Sequence, residues 1–145
     1  MTNQVQNDIE QLNSFLKGEL AAVETYRQCI EKIEDPKVEI QLRSLQASHS
    51  QRVAILSEKV RSLGGKPADD SGVWGSFAKL VEGGAKLFGK SAAISTLEEG
   101  EDHGKKQYAE EISNLSPMVR AFVEEQIVPE QFRTHDVLAA LQSRL

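Results

Sequence analysis

The sequence predicts an all-α protein, a four-helix bundle made of two antiparallel helix hairpins. Apolar residues recur every three or four positions over four long segments. Only a few polar residues join the first segment to the second and the third to the fourth, which is typical of hairpins. A Gly-Glu phrase ending in tyrosine occurs once in each pair, from Gly18 to Tyr26 and from Gly100 to Tyr108. We expect all 145 residues to form a single domain, because this length suits one hydrophobic core.

The spacing of the apolar residues sets the expected bounds of the helices. They are predicted at about 8–34, 36–63, 91–114 and 117–143. A helix of roughly 26 residues is about 39 Å long, so a link that travels the length of the bundle must itself be long. The stretch 65–90 is long enough, and we predict a crossover that runs along the bundle. Pro129 lies inside the fourth pattern and should kink or split that helix.

Local signals mark the helix ends. Asn7 or Asp8 is expected to cap the first helix. Asp35–Pro36 should end it and begin the second, with aspartate as the cap and proline at the first helical position. Gly64–Gly65 should close the second helix in the left-handed conformation that glycine adopts readily.

The crossover contains a further helical pattern. Its apolar positions are Trp74, Phe77, Val81, Ala85 and Phe88. We expect a short amphipathic helix lying against the bundle. A membrane-surface or partner-binding helix is the alternative, but several glycines and a slight cationic face favour the first interpretation. The aromatic residues of this segment are the apolar surface on which a homo-oligomer or an unknown protein partner would most readily pair.

Composition excludes several classes of protein. The net charge of -5 and the scattered basic residues exclude a nucleic-acid binder, which needs a basic face. Cys29 is the only cysteine, so an internal disulfide and a cysteine-rich zinc site are both excluded, and a reducing compartment is expected. No apolar stretch reaches the length of a membrane span. We therefore expect a cytoplasmic protein.

Polar residues fall on the apolar stripes of the helices. Glu19 and Glu101 occupy such positions, and each is followed, 30 or 34 residues later, by a histidine in the partner helix, His49 or His135. A buried carboxylate needs a partner. Helical bundles supply one with a di-metal site, built from one glutamate on each of two helices and a Glu-x-x-His motif on each of the others. Carboxylate and imidazole together suit iron, manganese or zinc, so these four residues are the candidate metal ligands.

Counting from the hairpin turns tests whether the candidates share one level. Fourteen residues from the turn, Glu19 lies at the depth of Arg52 in the second helix. The same count sets Glu101 at the depth of Gln131 in the fourth. Each of these positions is about one turn from its histidine. All four candidates are therefore expected in one layer.

The Glu-x-x-His motif itself is missing. Gln46 precedes one histidine by three residues and Phe132 precedes the other, so the remaining ligands suffice for one metal ion at most. The alternative is a hydrogen-bonded network without metal, in which each glutamate pairs with the histidine of its hairpin and with a nearby tyrosine. The glutamine and the phenylalanine favour this network.

The sequence resembles a family of bacterial ferritin-like four-helix-bundle proteins catalogued as a domain of unknown function. The resemblance covers roughly residues 8–142 and rests on four stretches, which are Lys17–Glu19 with Tyr26, Leu97–Asp102 with Tyr108, Thr134–Asp136, and Ser71–Gly75 in the crossover. It implies a fold similar to that of rubrerythrins and bacterioferritins. It also implies an association with bacterial stress responses, without an established reaction.

What the resemblance implies about chemistry is narrower. The metal roles of the better-known relatives carry over to Glu19 and Glu101, and with less support to His49 and His135. The missing glutamates disfavour peroxidase, ferroxidase and iron-storage activity, and no rubredoxin-type segment is present. Two hypotheses follow. The protein is a non-catalytic structural or interaction bundle with a core Glu/His/Tyr network, or it binds one iron, manganese or zinc ion and reacts with oxygen or peroxide.

Overall fold

Two helical hairpins pack side by side in the computed structural model, which describes residues 3–69 and 90–144. The helices are α1 Asn3–Ile30, α2 Pro36–Ser62, α3 Lys90–Glu111, α4 Pro117–Gln126 and α5 Val128–Ser143, with a 3-10 turn at Ile112–Asn114. Helix α1 packs on α2 and α3, and α3 packs on α5. The predicted all-α architecture is confirmed. The expected helix at 74–88 and the stretch Ser71–Gly75 lie outside the described residues, and within those residues no helix is long and apolar enough to cross a membrane.

The signals at the ends of α2 are confirmed. The Asp35 side chain accepts hydrogen bonds from the backbone N–H groups of Lys37 and Val38, at 3.0 and 3.4 Å, and Pro36 takes the first helical position. These bonds satisfy amides that have no partner inside the helix. At the other end Gly64 has a φ of 88°, a conformation that residues with a Cβ rarely adopt.

The expected cap of α1 is wrong. Helix α1 already begins at Asn3, and Asp8 lies inside it with only 2% of its surface exposed. Its carboxylate accepts hydrogen bonds from the backbone N–H and the hydroxyl of Ser116, at 2.8 and 2.6 Å. A tertiary contact thus satisfies this aspartate, and it ties α1 to the turn that precedes α4.

The predicted break at Pro129 is confirmed. Helix α4 ends at Gln126, and α5 begins two residues later at Val128. Pro129 therefore lies in the first turn of α5, where a missing N–H costs little. The buried positions keep one helical spacing through the break, from Val123 and Ile127 to Gln131 and Thr134, so the inward face of α5 continues that of α4.

The interior consists of two apolar clusters with a polar layer between them. On α1, for example, Leu12 and Leu16 belong to one cluster and Tyr26 and Ile30 to the other. Glu19 lies between these pairs. The same order holds on the other long helices, so the polar layer crosses the middle of the bundle. Its buried side chains are Glu19, Ser48, His49, Arg52, Glu101, Gln131 and Thr134.

Candidate functional site

His49 lies at the centre of the polar layer and joins the two repeated glutamates. Its Nδ1 is 2.6 Å from Oε1 of Glu19, and its Nε2 is 2.7 Å from Oε2 of Glu101. All three side chains are at most 4% exposed. The two ring nitrogens of an imidazole point in opposite directions, so the carboxylates lie on opposite edges of the ring. One histidine of the first hairpin thus serves the glutamates of both hairpins.

The two repeated tyrosines exchange partners. Tyr26 donates its hydroxyl hydrogen to Oε2 of Glu101 at 2.5 Å, and Tyr108 donates to Oε2 of Glu19 at 2.6 Å. Helical side chains point back toward the N-terminus of their own helix. Since α1 and α3 are antiparallel, each tyrosine therefore reaches back into the layer from the opposite side. The result is one hydrogen-bonded chain from tyrosine to glutamate, histidine, glutamate and tyrosine.

Arg52 is a second buried cation in the layer, with 1% of its surface exposed. It follows His49 by three residues and so shares its helix face. Its Nη1 lies 2.6 Å from Oε1 of Gln131 and 3.4 Å from Oε2 of Glu19. Its Nη2 donates to three oxygens, those of the Thr134 hydroxyl at 2.6 Å, the Ser48 hydroxyl at 3.1 Å and the Glu130 carbonyl at 3.1 Å.

Helix α5 contributes uncharged groups to the layer. Gln131 donates through Nε2 to Oε1 and to the backbone carbonyl of Glu101, at 3.0 and 3.1 Å. The Thr134 hydroxyl lies 2.9 Å from the same Oε1. The amide of Gln131 thus presents its oxygen to Arg52 and its NH₂ group to Glu101. Both residues link the guanidinium of α2 to the carboxylate of α3.

The contacts set the protonation of the layer. Burial alone raises the pKa of Glu19, but the hydrogen bond and charge of His49 and the charge of Arg52 outweigh it and lower that pKa. Burial likewise raises the pKa of Glu101, and His49 with Tyr26 and Thr134 lowers it below its ordinary value. For His49, burial lowers the pKa and the two carboxylates raise it above 6.5. When His49 is protonated, the charges of the two carboxylates, the imidazolium and the guanidinium cancel.

His135 does not join the layer, and the expectation that all four candidates meet there is wrong for this residue. Its Nε2 lies 2.5 Å from Asp102 and its Nδ1 3.3 Å from Asp136, and its side chain is 16% exposed. Residues Gln131 and Thr134, three apart, point inward instead. His135 is displaced from Thr134 by about 100° around the helix, which carries it to the surface between α3 and α5.

The depth count identified two residues that selection by residue type passed over. It led to Arg52 and Gln131, which both lie in the layer. Residue type favours the histidines, because imidazole is a common metal ligand and the side chains of arginine and glutamine are not. The spacing of Gln131 and Thr134 was the available signal for the inward face of α5. Thr134 is fully buried, although threonine is usually exposed.

A groove of about 620 Å³ between α1 and α3 leads to the layer. Among the residues that line it are both glutamates, both tyrosines and His49, while Lys17, Glu99 and His103 lie at its exposed rim. The repeated glycines are not equivalent here. A Cβ on Gly18 would lie 3.2 Å from Oε1 of Gln107, whereas a Cβ on Gly100 would meet no atom within 4 Å.

The fold defines a ferritin-like helical bundle. The structure is similar to a crystal structure of ferritin-like, diiron-carboxylate proteins from Bacillus anthracis str. Ames, with a TM-score of 0.73, 16% sequence identity, and coverage of 98% of this chain and 99% of that one. Residues 7–114 match the family described as Domain of unknown function (DUF2383), and the chain belongs to that family. No curated protein matches the sequence.

The residues of the layer do not fit a di-metal centre. In the part of the chain that the structure describes, no group of three or more histidine, cysteine, aspartate or glutamate side chains is arranged to hold a metal ion. Glu19 and Glu101 do lie near His49, but on opposite edges of its ring. An ion bound to either nitrogen would therefore meet only one of the two carboxylates. Besides His49, α2 contributes Arg52 to the layer, and α5 contributes Gln131 and Thr134, whereas a di-metal centre needs a carboxylate from each of these helices.

Proposed function

We propose that this ferritin-like bundle is a non-catalytic structural or interaction protein whose polar layer is complete without a metal ion. The observation that supports this most strongly is the double contact of His49 with Glu19 and Glu101. Each charged group in the layer already has partners of opposite charge, so none requires an added cation. A cytoplasmic location and a role in stress responses accompany this proposal as expectations.

Metal analysis of protein purified without a histidine tag tests the proposal. We expect far less than one equivalent of iron, manganese or zinc per chain, both as purified and after incubation with Fe(II) or Mn(II) under anaerobic conditions. Stoichiometric metal that disappears in Glu19→Ala and Glu101→Ala would refute it. Glu99→Ala, at the exposed rim of the groove, is the matched control, because it removes a carboxylate without touching the layer.

A single-metal protein with oxygen or peroxide chemistry is the second candidate. It is favoured by the convergence of two carboxylates and an imidazole at the inner end of an open groove. In that case His49 would give up one carboxylate and bind the ion through the freed nitrogen. The same metal analysis separates the candidates, and peroxide consumption by the loaded protein would support the second.

A further inference from the structure

Arg52 places a buried positive charge in the polar layer, and oxygen atoms surround it. We infer that Arg52 is the internal cation that excludes metal ions from this bundle, and that its replacement by a neutral residue turns the layer into a site for one divalent ion such as Mn(II) or Zn(II). The inference rests on the proposed function, because it takes the layer of the natural protein to be free of metal.

Charge balance is the first argument. Glu19 and Glu101 together carry two negative charges, and His49 and Arg52 carry two positive ones. A neutral residue at position 52 removes one positive charge. A divalent ion that binds neutral imidazole also displaces the proton of His49. One such ion therefore replaces the two lost charges and restores neutrality, which a buried site requires.

Occupation of the carboxylate oxygens is the second argument. An ionised carboxylate offers about four acceptor sites. Glu101 receives four donors, two at each oxygen, and Glu19 receives three. Arg52 supplies one of these donors itself. It also holds the oxygen of Gln131 at 2.6 Å, which turns the amide NH₂ of that residue toward Glu101.

The hydrogen bonds of Arg52 are the third argument. Its Nε–H has no acceptor among the described residues, although the side chain is almost completely buried. A buried donor without a partner is costly. The hydrogen bonds of the guanidinium are therefore incomplete. Its positive charge, in contrast, is well placed between the carboxylate of α1 and the polar groups of α5.

The test compares two neutral replacements, Arg52→Gln and Arg52→Met, with the natural protein, all without tags. Arg61→Gln is the matched control, because Arg61 lies on the same helix with its side chain 61% exposed. We measure uptake of Mn(II) and Zn(II) by metal analysis and calorimetry, and the Tm with and without metal. Both Arg52 variants are expected to bind about one equivalent and to gain several degrees in Tm on addition of metal, since only the folded state offers the site.

A further substitution shows where the ion binds. Adding His49→Gln to Arg52→Gln should weaken binding roughly tenfold or more, because it removes the one imidazole of the layer. Binding by Arg52→Gln should also weaken as the pH falls, since the proton competes with the metal for His49. Metal uptake that is the same with His49→Gln and at lower pH would be adventitious surface binding and would overturn the inference.

The remaining outcomes are distinguishable. Stoichiometric metal in the natural protein refutes the proposed function. A metal-free natural protein with folded Arg52 variants that also bind no metal overturns this inference and leaves the proposed function standing. If an Arg52 variant is unfolded without metal, far-ultraviolet circular dichroism decides, because helicity regained on addition of Mn(II) or Zn(II) supports the inference and no gain overturns it.

Discussion

The two hairpins carry the same Gly-Glu phrase but differ in what faces it. On α1 and α3 the phrase has kept its symmetry, since each tyrosine donates to the glutamate of the other helix. The partner helices have no such symmetry. Helix α2 supplies both buried cations, His49 and Arg52, whereas α5 supplies the neutral side chains of Gln131 and Thr134 and, at the edge of the layer, the Glu130 carboxylate that accepts a hydrogen bond from Ser48.

The two histidines show this difference most clearly. His49 is 3% exposed and bridges two buried carboxylates, while the His135 side chain is 16% exposed and pairs with Asp102, which is itself 61% exposed. The two histidines lie at comparable distances from the repeated glutamates in the sequence, but only His49 contacts those glutamates. The phrase shared by α1 and α3 identifies the fold, and the partner helices determine the chemistry of the layer.

Replacing the two histidines in turn should give the largest contrast. His49→Gln leaves two buried carboxylates with too few positive charges, so we expect a loss of about 3 kcal/mol or more in the free energy of unfolding. His135→Gln breaks a partly exposed pair and should cost less than about 1 kcal/mol. Urea unfolding of both variants measures the difference. Similar losses would contradict the bridging role of His49.

The tyrosine hydroxyls test whether the symmetry of α1 and α3 is energetic as well as geometric. Tyr26→Phe and Tyr108→Phe each remove a buried hydrogen bond to a charged group, so each should cost about 1.5–3 kcal/mol in the free energy of unfolding. The double variant should depart from additivity by roughly 0.5 kcal/mol or more, because both bonds belong to one network. A large loss of unfolding free energy in only one of the two single variants would show that the two tyrosine bonds are not energetically equivalent.

The pH dependence of stability distinguishes His49 from the two glutamates, because their contributions are lost in opposite directions of pH. The raised pKa of His49 contributes stability that is complete below its ordinary value of 6.5 and is lost as the pH rises through its folded value. The lowered pKa values of Glu19 and Glu101 contribute above 4.5 and are lost as the pH falls. Stability should therefore be greatest between these limits, with a slope on either side of at most about 1.4 kcal/mol per pH unit for each group.

The alkaline side of this profile compares the histidines again. Burial lowers the pKa of His135, but its hydrogen bonds to Asp102 and Asp136 raise it above 6.5. Both histidines therefore contribute to the alkaline slope, and the buried one should contribute more. Tm measured across pH in His49→Gln and His135→Gln checks this. An alkaline slope unchanged in His49→Gln would show that its imidazole is not charged in the folded state.

The repeated glycines should give the smallest effect. Gly100→Ala places a methyl group in open space on a helix and should stabilise the protein by about 0.5–1 kcal/mol. Gly18→Ala brings a methyl group within 3.2 Å of Gln107, whose amide bonds Ser14 at 3.1 Å, so the helical gain should be offset. Thermal unfolding of both variants tests this difference between the repeats. An equal gain would mean that Gln107 moves aside freely.

The amino-acid sequence by itself determined the helices, their pairing and three of the seven buried side chains of the polar layer. Glu19, His49 and Glu101 fall on apolar stripes whose period is that of a helix, so their burial follows from local pattern alone. The caps at Asp35 and Gly64 follow from the backbone chemistry of those two residues.

Only the tertiary structure decided which face of α5 enters the layer. The inward face of α5 continues from Ile127 through Gln131 to Thr134, and His135, about 100° further around the helix, lies outside it. The apolar pattern of α5 accommodates either choice. The burial of Arg52 was decided in the same way, since a guanidinium is stable in a core only where carboxylates and oxygen acceptors from other helices converge on it.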